Sequence, residues 1–188
     1  AASLLIVGAG HVAGMMADAY RAVRPIRRVR VWNLRAPKAQ ALAAELRGRG
    51  YDAEAVTDLE AAVRAADIVT CATLATAPLV HGAWLRPGTH LDLIGGFKPD
   101  MREADDDAIR PARVFIDTPA ALAEAGDITQ PLASGALAQD AIAGTLAALC
   151  RGENPGRTAV GEITLFKSVG SALEDLAAAA LVYQDAAA

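Results

Sequence analysis

The segment Val7-Gly8-Ala9-Gly10-His11-Val12-Ala13 holds the residues best arranged for chemistry in this sequence. It has the form G-x-G-x-x-[GA], and its small residues have separate physical tasks. Gly8 permits a tight turn, Gly10 lets the backbone approach a pyrophosphate, and Ala13 lets a helix pack closely on a strand. The free N–H groups and positive end of a helix starting near His11 then favour bound phosphate. His11 itself, beside a helix start that disfavours its protonated form, reads as a neutral residue lining a ligand rather than as a catalyst.

A second set lies about 20 residues further on, where NAD-preferring sites carry Asp or Glu to accept hydrogen bonds from the ribose 2′-OH. Here the residues are Val31-Trp32-Asn33-Leu34-Arg35, with Lys38 close behind. The missing carboxylate removes repulsion toward a 2′-phosphate, and Arg35 offers it a bidentate donor. A preference for NADP(H) is expected, with NAD(H) possible.

Other reactive residue types carry less. His81 and His90 have no Cys or carboxylate partner at triad or metal spacing and read as structural. Glu103, Asp105, Asp106 and Asp107 would splay by about 100° per residue on a helix, so they read as a solvated helix start rather than a cation site. Cys71 and Cys150 form neither a disulfide framework nor a metal set and read as packing residues. No metal is expected.

The elements that position the glycine loop follow from the apolar pattern. Ser3–Val7 is a short continuous apolar run, the mark of a buried parallel strand. From His11 to Val23 apolar residues recur at helical spacing until Pro25. Strands are expected at Val29–Trp32, Asp67–Ala72, His90–Ile94, Val114–Asp117 and Glu162–Phe166. Helices are expected around Ala39–Leu46, from a Thr57/Glu60 capping box onward, over a short stretch from Thr118 closed by Gly126, across Leu137–Cys150, and over Ser171–Gln184. Such alternation defines an α/β fold, a doubly wound, mostly parallel sheet with right-handed crossovers, in one domain spanning residues 1–188.

Composition agrees with that class and excludes others. The chain has 188 residues, 53% hydrophobic, 21% charged and only 4% aromatic. The core must therefore be built mainly from Ala, Val, Ile and Leu. A net charge of −4 argues against a general nucleic-acid binder, which needs a concentrated basic excess. Apolar runs such as Leu4–Ala9 and Ala177–Tyr183 are too short to cross a bilayer, and no basic leader precedes them. A cytoplasmic setting without membrane or nucleic-acid partners is expected. The chain opens without Met directly into a strand, which reads as a segment of a longer protein.

Several longer stretches are more specific than the glycine loop. Trp84-Leu85-x-Pro87-Gly88-Thr89-His90, Ile94-Gly95, Pro99-Asp100-Met101-Arg102-Glu103 and Glu162-Ile163-Thr164-Leu165-Phe166-Lys167-Ser168-Val169-Gly170 occur in order with the glycine loop, Val31-Trp32-Asn33, Ala66–Val69 and Ala72-Thr73. Over essentially the whole chain this set resembles the ornithine cyclodeaminase/mu-crystallin family. The resemblance implies a Rossmann lobe that binds the nicotinamide cofactor. A separate lobe, apparently absent from this chain, would dimerise and grip the substrate carboxylate, so the full-length protein is expected to be a homodimer. It further implies that Gly8, Ala9, Gly10, His11 and Val12 face the pyrophosphate, and that Asn33, Leu34 and Arg35 face the adenosine ribose and its phosphate. Ala72 and Thr73 would line the crevice; Ile94, Gly95, Lys167 and Ser168 would lie near the nicotinamide. For Lys167 an ion pair with Glu162 or Glu174 is the alternative.

Two departures narrow the activity. The family pattern places Arg directly after the Asn of the second strand, whereas Leu34 intervenes here. Cyclodeaminases carry a catalytic Asp directly after the paired glycines, a position held here by Phe97, whose ring cannot transfer protons. The form Gly96-Phe97-x-Pro99-Asp100-Met101-Arg102-Glu103 resembles the imino-acid reductases instead. Reduction of a small cyclic ketimine carboxylate to the cyclic amino acid is expected. Ornithine cyclodeamination, alanine dehydrogenation and cofactor binding without turnover are the alternatives, and no catalytic proton donor is identified within the chain.

Overall fold

All eight strands run parallel in a single sheet of order β3-β2-β1-β4-β5-β8-β6-β7. The computed structural model describes residues 1–186. Its strands are β1 (Ser3–Val7), β2 (Arg28–Trp32), β3 (Asp52–Ala55), β4 (Ile68–Cys71), β5 (His90–Leu93), β6 (Arg113–Ile116), β7 (Ile142–Thr145) and β8 (Thr164–Lys167). Its helices are α1 (His11–Val23), α2 (Ala36–Gly48), α3 (Leu59–Ala65), α4 (Asp106–Ile109), α5 (Ala121–Glu124), α6 (Gly126–Ser134), α7 (Leu146–Cys150) and α8 (Ala172–Ala186).

The apolar run of β1 is buried because helices cover both faces of the sheet. Side chains alternate along a strand, and Leu4 and Ile6 join Ala13, Ala17, Leu42 and Leu46 beneath α1 and α2. Leu5 and Val7 join Val63, Leu91, Leu93 and Leu165 in the core on the other face. Small residues let α1 lie close: Ala13 and Ala17 are its buried positions. Pairing runs outward from β1 in both directions, to β2 and to β4. The strand order therefore reverses between β1 and β4, which opens a crevice at their carboxyl ends.

The doubly wound sheet stands as expected, and several local readings are corrected. Asp58, not Thr57, caps α3, its side chain accepting from the Ala61 N–H at 3.0 Å. Asp52–Ala55 forms an edge strand that its polar sequence concealed. Gly126 does not close a helix but opens α6, with its N–H bonded to the Gly96 and Lys98 carbonyls. Leu137–Cys150 is not one helix. Its middle, Ile142–Thr145, is recruited as β7 against β6, and Thr145 then caps the short α7. Cys71 is buried as expected, but Cys150 is exposed rather than packed.

Among the described residues no helix is long and apolar enough to cross a membrane. None of them group as three His, Cys, Asp or Glu able to hold a metal ion.

Candidate functional site

The crevice forms because the chain leaving β1 packs on one face of the sheet, as α1, while the segment that follows β4, with Leu79 and Val80, packs on the other. Gly8 adopts φ +119, and a Cβ there would sit 2.5 Å from the Ala72 carbonyl oxygen, so the two strand ends touch only because Gly8 has no side chain. Gly10 differs: its φ is −91, and a Cβ would meet nothing within 4 Å. Gly10 lines the crevice. No side chain caps α1, and its first turn carries no acidic residue. By contrast, Asp58, Asp105 and Thr145 cap α3, α4 and α7. An uncapped helix start behind a glycine without a methyl fits a pyrophosphate, by partial charge and by space.

The cleft has a volume of about 620 Å³. It brings together every residue expected at the cofactor, from Gly8 to Val12, Asn33 to Arg35, Ala72, Thr73, Ile94 and Gly95, apart from Lys167 and Ser168. Lys38, Leu74 and Phe97 also line it. Asn33 turns its amide toward the chain, donating to the Arg35 carbonyl at 3.1 Å, while Leu34 and the Arg35 guanidinium stand at the surface. Ser168 lines a smaller neighbouring groove shared with Val12, Met16 and Ile94. A larger groove lies between α1 and α2, behind the glycine loop. Of its charged residues, Arg49 is paired with Asp18 and Glu45, and Lys38 is shared with the crevice.

Lys167 does not reach the cleft and pairs with neither Glu162 nor Glu174. Fully buried beneath the floor, its ammonium donates to the Gly95 carbonyl and lies 3.6 Å from Asp127 Oδ2. Asp127 Oδ1 accepts the N–H groups of Glu103 (2.8 Å) and Ala104 (3.1 Å). Glu103 is likewise fully buried, which corrects its reading as a solvated helix start. Its Oε1 accepts both the N–H and the hydroxyl of Thr73 at 2.7 Å. Only Asp105, Asp106 and Asp107 belong to the start of α4. Glu103 and Asp127 escaped sequence reasoning because burial comes from packing between distant segments. The one available sign was that Glu103 closes the Pro99–Glu103 stretch. The histidines are held structurally: His81 Nδ1 contacts Asp105 at 2.8 Å and His90 Nδ1 contacts Thr164 at 2.9 Å.

Burial pushes the Glu103 carboxyl up to about 7, opposed by the Thr73 hydrogen bond and reinforced by Asp127. Lys167 lowers it and is, with Thr73 and Asp127, the group facing it; burial also raises Asp127. A raised folded-state value means that the native protein holds a proton the unfolded chain releases near 4.5. The associated stability is thus fully present below that value and lost as pH rises through about 7. The loss should be on the order of 3 kcal/mol across this window. Urea unfolding midpoints should fall from about pH 5 to about pH 8, and Glu103→Gln should flatten that slope. An unchanged slope would remove Glu103 as its source.

A doubly wound parallel sheet with an open crevice at its switch point defines a Rossmann-type domain. The chain belongs to the ornithine cyclodeaminase/mu-crystallin family, whose model matches residues 1–188. Delta(1)-pyrroline-2-carboxylate reductase of Paracoccus denitrificans is 48% identical over 95% of this chain and 57% of its own. Ketimine reductase mu-crystallin of Mus musculus is 36% identical over 96% of this chain and 54% of its own. The structure of Thermococcus litoralis Delta(1)-pyrroline-2-carboxylate reductase with NADH and L-proline superposes with a TM-score of 0.95, at 35% identity, over 98% of this chain and 58% of that one. The chain thus spans a little over half the length of the curated relatives it matches.

Proposed function

We propose that this chain is the cofactor lobe of an NADP(H)-preferring reductase that converts a small cyclic ketimine carboxylate, such as pyrroline-2-carboxylate, to the cyclic amino acid. The observation that carries the reading is the crevice itself. It runs unbroken from the Asn33–Arg35 end, past the uncapped start of α1, to Ile94-Gly95 and Phe97. Relatives named as pyrroline-2-carboxylate and ketimine reductases supply the substrate class.

In this reading Gly8–Val12 hold the pyrophosphate, Asn33–Arg35 the adenosine ribose, and Ala72, Thr73, Ile94 and Gly95 the nicotinamide half, with Ser168 at its margin. When bound, the cofactor supplies hydride to the carbon of a C=N bond. The chain's part is to orient and to exclude water. Phe97, which lines the cleft, offers an apolar ring where proton transfer would need a carboxylate. The remainder of the longer protein would grip the substrate carboxylate and form the homodimer. In support, α8 leaves Leu173, Leu176, Leu181, Val182 and Tyr183 exposed.

Titration of the full-length protein with NADPH and NADH, then NADPH oxidation with pyrroline-2-carboxylate and piperideine-2-carboxylate, tests the reading. Tight NADPH binding with turnover is expected; failure to bind either nucleotide would overturn it. Cofactor preference has its own test. Arg35→Ala should weaken NADPH about tenfold or more, the worth of one charge-assisted contact, and leave NADH within about twofold. Equal losses for both would refute a 2′-phosphate contact.

A further inference from the structure

Three buried ionisable groups lie behind the crevice without touching it. Lys167 ends β8, Asp127 lies in the first turn of α6, and Glu103 precedes α4; all are shut off from solvent. Their contacts form a closed circuit. Thr73 is bonded to Glu103, the Glu103 N–H to Asp127, Asp127 to Lys167, and Lys167 to the Gly95 carbonyl. The circuit closes where Gly95 packs on Thr73, since a Cβ at position 95 would collide with the Thr73 carbonyl and the Glu103 carboxylate. At Gly96, with φ +61, a Cβ would collide with Asp127 Oδ2. The loop after β5 is therefore pressed against both carboxylates.

Such an arrangement is costly. Each ion taken out of water costs several kcal/mol, and well-packed apolar residues commonly serve stability as well or better. The surrounding core, Cys71, Leu93 and Leu165, is apolar. Two of the cluster's oxygens, Glu103 Oε2 and Asp127 Oδ2, have no hydrogen-bond partner among the described residues. What the cluster does achieve is geometric. It fastens together the chain ends that follow β4, β5 and β8, three neighbouring strands of the sheet.

We propose that Lys167, Asp127 and Glu103 are a positioning unit that sets the relative placement of Thr73 and Gly95, and thereby the shape of the nicotinamide-facing end of the crevice. This rests on the nucleotide reading of the crevice and deepens it. None of the three is a catalytic residue, because none reaches the cleft. They act through the Thr73 backbone and hydroxyl and through the Gly95 carbonyl. The adenosine-facing end, at Asn33–Arg35, is outside the circuit.

That asymmetry supplies the test. In the full-length protein, NADPH and adenosine 2′,5′-bisphosphate, which lacks the nicotinamide half, are titrated separately. Lys167→Met and Glu103→Ala should weaken NADPH about tenfold or more while leaving the bisphosphate within about twofold. The kcat for ketimine reduction should fall by at least as much. Glu103→Gln keeps a carbonyl oxygen for the Thr73 donors and should restore affinity to within about threefold of wild type. Should Lys167→Met not fold, Lys167→Met/Asp127→Asn removes both charges, still lacks the donor to Gly95, and should show the same selective loss. Parallel weakening of both ligands, or no weakening of either, would overturn the proposal while leaving the nucleotide reading in place. A wild-type protein that binds neither of these ligands, nor NADH, would overturn both.

Discussion

Gly8→Ala is expected to destabilise the protein by about 2–4 kcal/mol and to weaken dinucleotide binding at least about a hundredfold. Two effects add. A φ of +119 is a conformation that an L side chain rarely adopts, and the new methyl would sit 2.5 Å from the Ala72 carbonyl oxygen. Neither side can yield cheaply. The Gly8 N–H is bonded to the Trp32 carbonyl at 2.8 Å, and the Ala72 N–H to the Val7 carbonyl at 2.9 Å. Relief therefore requires the ends of β1 and β4 to separate, which deforms the crevice between them. Gly10→Ala makes the informative contrast. Its φ of −91 suits alanine and its Cβ would meet nothing within 4 Å, so unfolding should be almost unchanged. The methyl would still enter the space assigned to the pyrophosphate, and affinity should fall. Urea unfolding and fluorescence titration of the two variants read both quantities. Equal stability of Gly8→Ala and wild type would contradict the steric account, and unchanged affinity of Gly10→Ala would contradict the pyrophosphate placement.

Lys167→Met should carry the largest cost to stability of any single side-chain replacement considered for the crevice, about 3–5 kcal/mol. The loss arises less from the missing attraction than from what remains. Asp127, fully buried, would keep its two backbone donors and lose the ammonium paired with it. The Gly95 carbonyl would also lose its ammonium donor. Thermal unfolding should drop by roughly 2–4 °C per kcal/mol for a domain of this size. Adding Asp127→Asn should recover part of the loss, because no unpaired charge is then left inside; additive losses in the double variant would show that the two side chains do not interact. A Lys167→Met protein as stable as wild type would mean that the buried ammonium is not holding the floor of the crevice.

The extent to which the site could be read in advance differs by residue. Gly8, Gly10 and Ala13 act through their own lack of bulk, a property carried by residue type and spacing. The cleft accordingly unites the glycine loop with Asn33–Arg35 and with Ala72-Thr73. Lys167 was visible as a residue of interest, but its partner was not. Asp127 lies 40 positions away in α6, and no local pattern links the two. Glu103 was misread for the same reason: four acidic residues within five positions look solvated, yet Glu103 turns into the interior while Asp105 caps α4. The stretch Leu137–Cys150 shows the limit of periodicity. Its Ala and Leu residues suit a helix, but β6 presents an edge that Ile142–Thr145 satisfies by pairing.

By itself the sequence determined the alternation of strands and helices, the parallel sheet that follows from it, and the phosphate-sized turn after the first strand. These depend on interactions within a few residues, or on the burial of continuous apolar runs. Tertiary structure alone decided that β8 inserts between β5 and β6, that a polar segment becomes the edge strand β3, and that one Lys and two carboxylates meet beneath Gly95. Strand order and buried charge pairing arise from contacts between segments far apart in the chain. Their energies exist only once the sheet has brought those segments together.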